Sequence, residues 1–248
     1  MNKTFALGLA SLTLNAGFNA GIDTGYFFYK EFVKGSKFME DRGLMSGLIV
    51  NLNENLSKKW TLNAYARLMA GKTNYDGVLI NFQTGAKTPY KSKTFNIIAD
   101  TELTFDYKLK NHRDITPFFG LGYRRLKNPA DDYGGSYDRY ETYYYLPMGV
   151  KTNNGWKLEY RWLTYGENDS FKTSDNFHMT MQQREGNGFH VAKAVNILKD
   201  YKAEIYAEYW HISRSTNSLC LGSTDAVCSE PENKTLFSGI KISRDLDL

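Results

Sequence analysis

Residues 95–109, FNIIADTELTFDYKL, change character at every step. Phe95, Ile97, Ala99, Thr101, Leu103, Phe105, Tyr107 and Leu109 are apolar, aromatic or small, while Asn96, Asp100, Glu102, Thr104, Asp106 and Lys108 hold most of the even positions. Successive side chains of an extended strand point to opposite faces, so this rhythm calls for a β-strand lying between two different surroundings. A helix would group residues three and four apart and scatter both sets. The same alternation recurs in GLMSGLIVNLN (43–53), WTLNAYARLMA (60–70), GWKLEYRWLTY (155–165) and YKAEIYAEYW (201–210). Ten segments carry it, at about 22–32, 43–54, 59–71, 94–109, 115–126, 139–152, 155–166, 186–197, 201–214 and 234–244. The segment at 186–197 is the least regular, because Lys193 shares a face with Phe189, Val191 and Val195.

Strand length decides what those two surroundings are. Strands of soluble domains average about 5–6 residues, whereas a strand crossing a bilayer needs about 9–11. No run of about 18 apolar residues follows the first twenty, so no membrane-spanning helix is available. The mean hydropathy of −0.51 is compatible with a membrane barrel, in which only alternate residues face lipid. Backbone groups in hydrocarbon have no water to bond, so such a sheet must close on itself. The expected fold is all-β: a closed antiparallel up-and-down transmembrane barrel of about 10 strands, apolar faces outward. Connections between the segments alternate short and long, which predicts four short turns and five long loops. An even strand number puts both termini on one side, the periplasm, and the long loops outside. The competing architecture is an exported sandwich or lipocalin-like barrel with the apolar faces inward. The 31 basic and 27 acidic residues nearly balance, so no nucleic-acid partner is expected.

The first twenty residues read as an export signal: Lys3, then FALGLASLTL (5–14), then Ala16 and Ala20 as alternative cleavage points, leaving a barrel over 21–248. In an exported chain the only cysteines, Cys220 and Cys228, are expected to form a short disulfide loop. Together with runs such as YYYLPMGVKTNNGWKLEYRW (143–162), these features make the chain resemble small bacterial outer-membrane β-barrel proteins, the porin-like and OmpA-like group, over essentially its whole mature length. The resemblance implies outer-membrane placement, with membrane lipids and lipopolysaccharide as surroundings, and carries no function. The chain departs from the group at its end, SGIKISRDLDL, where an aromatic residue is often found; Ile240 and Ile242 are the last clear strand residues, followed by a polar tail.

Inside the barrel the alternation predicts Arg67, Asp100, Glu102, Asp106, Arg124, Glu141, Lys157, Glu159, Arg161, Lys202, Glu204, Glu208 and Lys241. Mixed signs fit either a packed network of ion pairs or a narrow wet pore, and ten strands lie close to the size that side chains fill. Candidate catalytic residues are few, and each has an ordinary structural explanation. Asp131 and Asp132 with His178 resemble the rim acids and histidine of ten-stranded surface proteases, yet DDYGG is also turn chemistry. His211 with Ser213 is the one local histidine–serine pair. No GxSxG, HExxH, phosphate-binding loop or zinc-ligand spacing occurs, so no cofactor and no metal are expected. The expected function is that of a non-enzymatic outer-membrane barrel whose loops serve adhesion, interaction with an extracellular partner or envelope support. A passive pore for small solutes and an outer-leaflet hydrolase are the alternatives. Segment 72–92 is expected to be a loop that folds over the mouth or binds a partner.

Overall fold

The computed structural model describes residues 17–80, 86–110, 114–129, 138–172, 177–219 and 227–246. In chain order the strands are β1 (Gly17–Val33), β2 (Ser36–Asn55), β3 (Trp60–Ile80), β4 (Lys87–Tyr107), β5 (Ile115–Asn128), β6 (Asp138–Thr152), β7 (Trp156–Lys172), β8 (Phe177–Gln183), β9 (Gly186–Leu198), β10 (Tyr201–Ile212), β11 (Ser218–Leu219), β12 (Val227–Cys228) and β13 (Glu232–Leu246). Sequence neighbours pair antiparallel, β13 closes onto β1, and β6 closes onto β7, so the sheet has no free end. β8 and β9 pair with β7 in a single register on either side of Arg184–Glu185. They are one broken stave, and the closed barrel has ten strands with β8 as an extra piece. β11 and β12 form a separate small hairpin between β10 and β13.

The exterior explains why these residues form a barrel and where a membrane fits. Outward positions near the chain termini are apolar and exposed: Ile22 and Tyr26 on β1, Leu44 and Leu48 on β2, Phe95 and Leu103 on β4, Leu158 and Trp162 on β7, Ile205 on β10, Leu236 and Ile240 on β13. On β4 this face runs from Phe95 to Tyr107. At about 3.3 Å per residue and a tilt of about 45°, that length rises about 28 Å, close to the apolar band of an outer-membrane barrel. Above it the outward positions turn polar, with Lys72, Asn74 and Asp76 on β3, Lys91 and Lys93 on β4, and Arg125 and Lys127 on β5. The wall continues past the band as a water-facing collar.

Two of the five expected long loops are instead part of that collar. The first of them is a two-residue turn, Lys34–Gly35, with φ of 52° and 78°, and the residues around it belong to β1 and β2. Positive φ at both positions gives the right-twisted hairpin that joins antiparallel strands most tightly. Most of segment 72–92 is likewise the end of the β3–β4 hairpin, stitched by the Tyr75–Tyr90 ring pair and by Lys91 to Asp76 at 3.1 Å, and not a lid loop. The expected polar tail after Ile242 is also strand, since β13 pairs with β1 as far as Leu246 opposite Phe18.

Inward positions are less polar than the alternation suggests. Phe27, Met45, Met69, Ile98, Leu126, Tyr206 and Phe237 form one buried cluster, and Tyr143, Tyr145, Leu163, Trp210 and Ile212 form another. Glycines make room for the rings: a Cβ on Gly122 would fall 2.2 Å from the Tyr145 ring, and one on Gly188 would fall 2.9 Å from Trp210. Large aromatics lying over glycines of neighbouring strands are how a barrel of this size fills its interior.

Candidate functional site in the occluded lumen

The lumen is crossed by charged side chains that meet in its middle. Glu208 of β10 accepts from Arg67 Nη2 at 3.1 Å, Arg124 Nη1 at 2.5 Å and Arg161 Nη1 at 2.7 Å. These arginines stand on β3, β5 and β7. Around the wall β3 is separated from β10 by β2, β1 and β13, so the Arg67 bond can run only through the interior. Asp100 bridges Arg67 at 2.5 Å and Arg124 at 3.4 Å, and Asp23 approaches Arg67 at 3.4 Å while accepting from the Tyr206 hydroxyl at 2.8 Å. Glu102 takes Arg161 at 2.9 Å and the Tyr145 hydroxyl at 2.9 Å; Glu159 takes Lys157. Glu208 and Arg124 are each only 2% exposed. Charges that deep persist because each has opposite charge or hydrogen bonds within reach. The guanidiniums also lie over rings, Arg124 and Arg161 over Trp210 and Arg67 over Phe237.

On the side toward the termini the knot roofs a cavity of about 380 Å³, lined in part by Asn19, Asn51, Asn63, Tyr65, Glu204 and Lys241. Lys241 bonds Glu204 at 2.7 Å, Lys151 bonds Asp106 at 2.8 Å, and Lys202 pairs with Asp245 at 3.0 Å near the open end. Of the thirteen residues expected inside, Lys202 is exposed, Lys157 and Glu204 are half-buried, and the others are buried.

Toward the collar lies a second cluster. Arg139 of β6 reaches Glu31, Glu230 at 3.2 Å and Glu141 at 3.5 Å. The Tyr29 hydroxyl sits 2.9 Å from Glu31 and 2.7 Å from Glu141, and Tyr143 donates to Glu141 at 2.9 Å. Burial pushes the Glu230 carboxyl well above its ordinary range; Glu31 and Glu141 push the same way and Arg139 opposes them. Sequence reasoning placed only Glu141 of this cluster. Asp23 and Glu31 were legible on the inward face of β1 beside Phe27 and Tyr29, but Glu230 stands outside every alternating segment and carries no such signal.

No protein-family model and no curated protein matches the chain. Among solved structures it is similar to the outer membrane protease OmpT from Escherichia coli, with a TM-score of 0.51 and 10% identity over 93% of this chain and 97% of that one. The fold is that of an outer-membrane β-barrel. The barrel is also similar to the COG4313 outer membrane channel from Pseudomonas putida F1 (TM-score 0.48, 10% identity, 94% and 97% covered) and to Neisserial surface protein A (0.34, 8%, 94% and 99%). At such identities the likeness is one of architecture.

Of the candidate catalytic residues, His178, His211 and Ser213 are described. Asp131 and Asp132 lie outside the described residues. His178 is on the outer surface of the collar, 3.2 Å from Asp169, and His211 is outward on β10, 3.0 Å from Glu232. Ser213 joins the wall by its backbone, its N–H donating to Glu185 O and its carbonyl accepting from Gln183. Among the described residues no cysteine is a free thiol; Cys220, the expected partner of Cys228, lies outside them.

Proposed function

We propose that this protein is a non-enzymatic, non-conducting barrel of the bacterial outer membrane that carries a rigid collar for contact beyond the membrane. The observation that carries this reading is the lumen knot, in which Arg67, Arg124 and Arg161 converge on Glu208 above a cavity and below a layer of buried aromatics. A ten-stranded wall whose interior is spanned by bonded side chains leaves no continuous water path. The collar, with its polar outward face and paired strands, would stand on the extracellular side, with both termini in the periplasm. Paired strands suit adhesion or interaction with an extracellular partner, because little ordering entropy is lost on contact. Residues 1–16 would be the export signal, since cleavage after Ala20 would remove Asn19, whose side chain accepts from Asn51 at 2.7 Å. Cys228 would bridge to Cys220 and pin the loop that holds β11 and β12.

Planar-bilayer recording tests the reading. Purified protein should insert without steady single-channel steps. Reproducible unitary conductance from the unaltered chain would refute it and favour a passive pore for small solutes.

A further inference from the structure

The cluster at the collar end has more negative charge than its own cations neutralise. Glu31, Glu141 and Glu230 each present a carboxylate oxygen, and the three oxygens lie within 4.8 Å of one another. All three residues are buried, at 2%, 1% and 4% exposure. The one cation bonded to them among the described residues is Arg139, so with all three carboxylates ionised the cluster would carry −2. Hydrogen bonding repeats the imbalance. The single proton of the Tyr29 hydroxyl is shared between Glu31 and Glu141, at 2.9 and 2.7 Å. A second observation comes from β13. Asn233 stands directly across from Glu31 in the β1–β13 register, and its amide N–H donates to the Tyr143 hydroxyl at 3.2 Å. Its carbonyl oxygen has no hydrogen-bond partner, although the residue is only 1% exposed. A buried amide oxygen left unpaired beside a surplus of carboxylates is an arrangement a hard cation resolves.

We propose that Glu31, Glu141, Glu230 and the Asn233 carbonyl form a site for a calcium-like divalent cation, with Arg139 as its neighbour. Ca²⁺ takes oxygen ligands at about 2.3–2.6 Å, so oxygens on opposite sides of the ion lie at most about 5 Å apart, which accommodates the triangle. Carboxylates and an amide carbonyl are its preferred donors, whereas softer metals would favour imidazole or thiolate. The ion supplies the two missing positive charges. It ties β1, β6 and β13 to the segment holding Glu230, so it would fasten the loop between β10 and β13 to the barrel wall.

Terbium(III) is a direct probe, because tyrosines beside a bound ion sensitise its emission and Tyr29 and Tyr143 touch the ligands. Protein refolded in lipopolysaccharide-free detergent and stripped with chelator should give saturable tyrosine-sensitised emission that Ca²⁺ displaces. Glu230→Gln should weaken terbium binding by about tenfold or more. Asn233→Asp, which adds a carboxylate at the amide donor, should tighten it. Emission that is absent, or that is unchanged in both variants, overturns the proposal. Should Glu230→Gln fail to fold, as judged by the gel shift of unboiled samples, Asn233→Asp alone decides: tighter binding supports the site and unaltered binding overturns it.

Discussion

Glu208→Gln isolates the knot. The substitution keeps shape and removes one charge from a point where three guanidiniums meet. Arg67 would retain Asp100 and Asp23, and Arg161 would retain Glu102 and Glu159. Arg124 would retain only Asp100 at 3.4 Å, and its Nη2 already lacks a partner. One of the three buried cations is therefore left nearly uncompensated. Removing one member of a buried pair costs about 3–5 kcal/mol, and with two of three arginines still paired the lower figure, about 3 kcal/mol, applies. That is about two powers of ten in the folded-to-unfolded ratio. The assay is urea-dependent refolding into phosphocholine vesicles, followed by tryptophan emission and by the migration of unboiled samples. Arg124→Gln should cost less, because Glu208 keeps Arg67 and Arg161. The double variant should be more stable than the summed singles predict by about 1–3 kcal/mol. A Glu208→Gln protein within about 0.5 kcal/mol of the parent, or strictly additive singles, would refute the claim that this carboxylate holds the interior together.

Further perturbations address the packing, the turn and the seal. Gly122→Ala drives a methyl into the Tyr145 ring and should destabilise by about 1–3 kcal/mol in the same refolding assay. Lys34→Asn should be neutral or stabilising by up to about 1 kcal/mol, since Asn tolerates the φ of 52°, while Gly35→Val should destabilise the hairpin measurably. Truncating the seal with Arg124→Ala and Trp210→Ala together should produce small unitary conductance in planar bilayers where the parent is silent.

How much of this was legible beforehand follows from which face of each strand touches lipid. Along 95–107 the outward residues are apolar, aromatic or small and the inward ones other than Ile98 are polar, so alternation marked both the strand and its orientation. Past Phe95 the same strand stands in water on its outer face, and Lys93 and Lys91 replace the apolar residues. Contrast between the faces disappears although the hydrogen-bonded ladder continues, which is why the hairpin ends read as loops. The lumen failed differently. Met69, Ile98 and Trp210 share the inward faces with charged neighbours, because a narrow barrel packs its centre with both kinds of side chain. The Arg139 cluster joins β1, β6 and the segment before β13, positions about a hundred residues apart, and no local pattern marks such a meeting.

The knot also constrains how the molecule can be made. Its members come from β1, β3, β4, β5, β7 and β10, more than half the circumference. Hairpins pair some of them, as Arg67 with Asp100 across β3 and β4, but Glu208 meets its three arginines only across the closed ring, so an incomplete sheet must keep that carboxylate hydrated. Dehydration, charge pairing and ring closure therefore become a single event: the last seam zips only when every stave has delivered its share, and a cylinder missing one of them stays an open, wet ribbon.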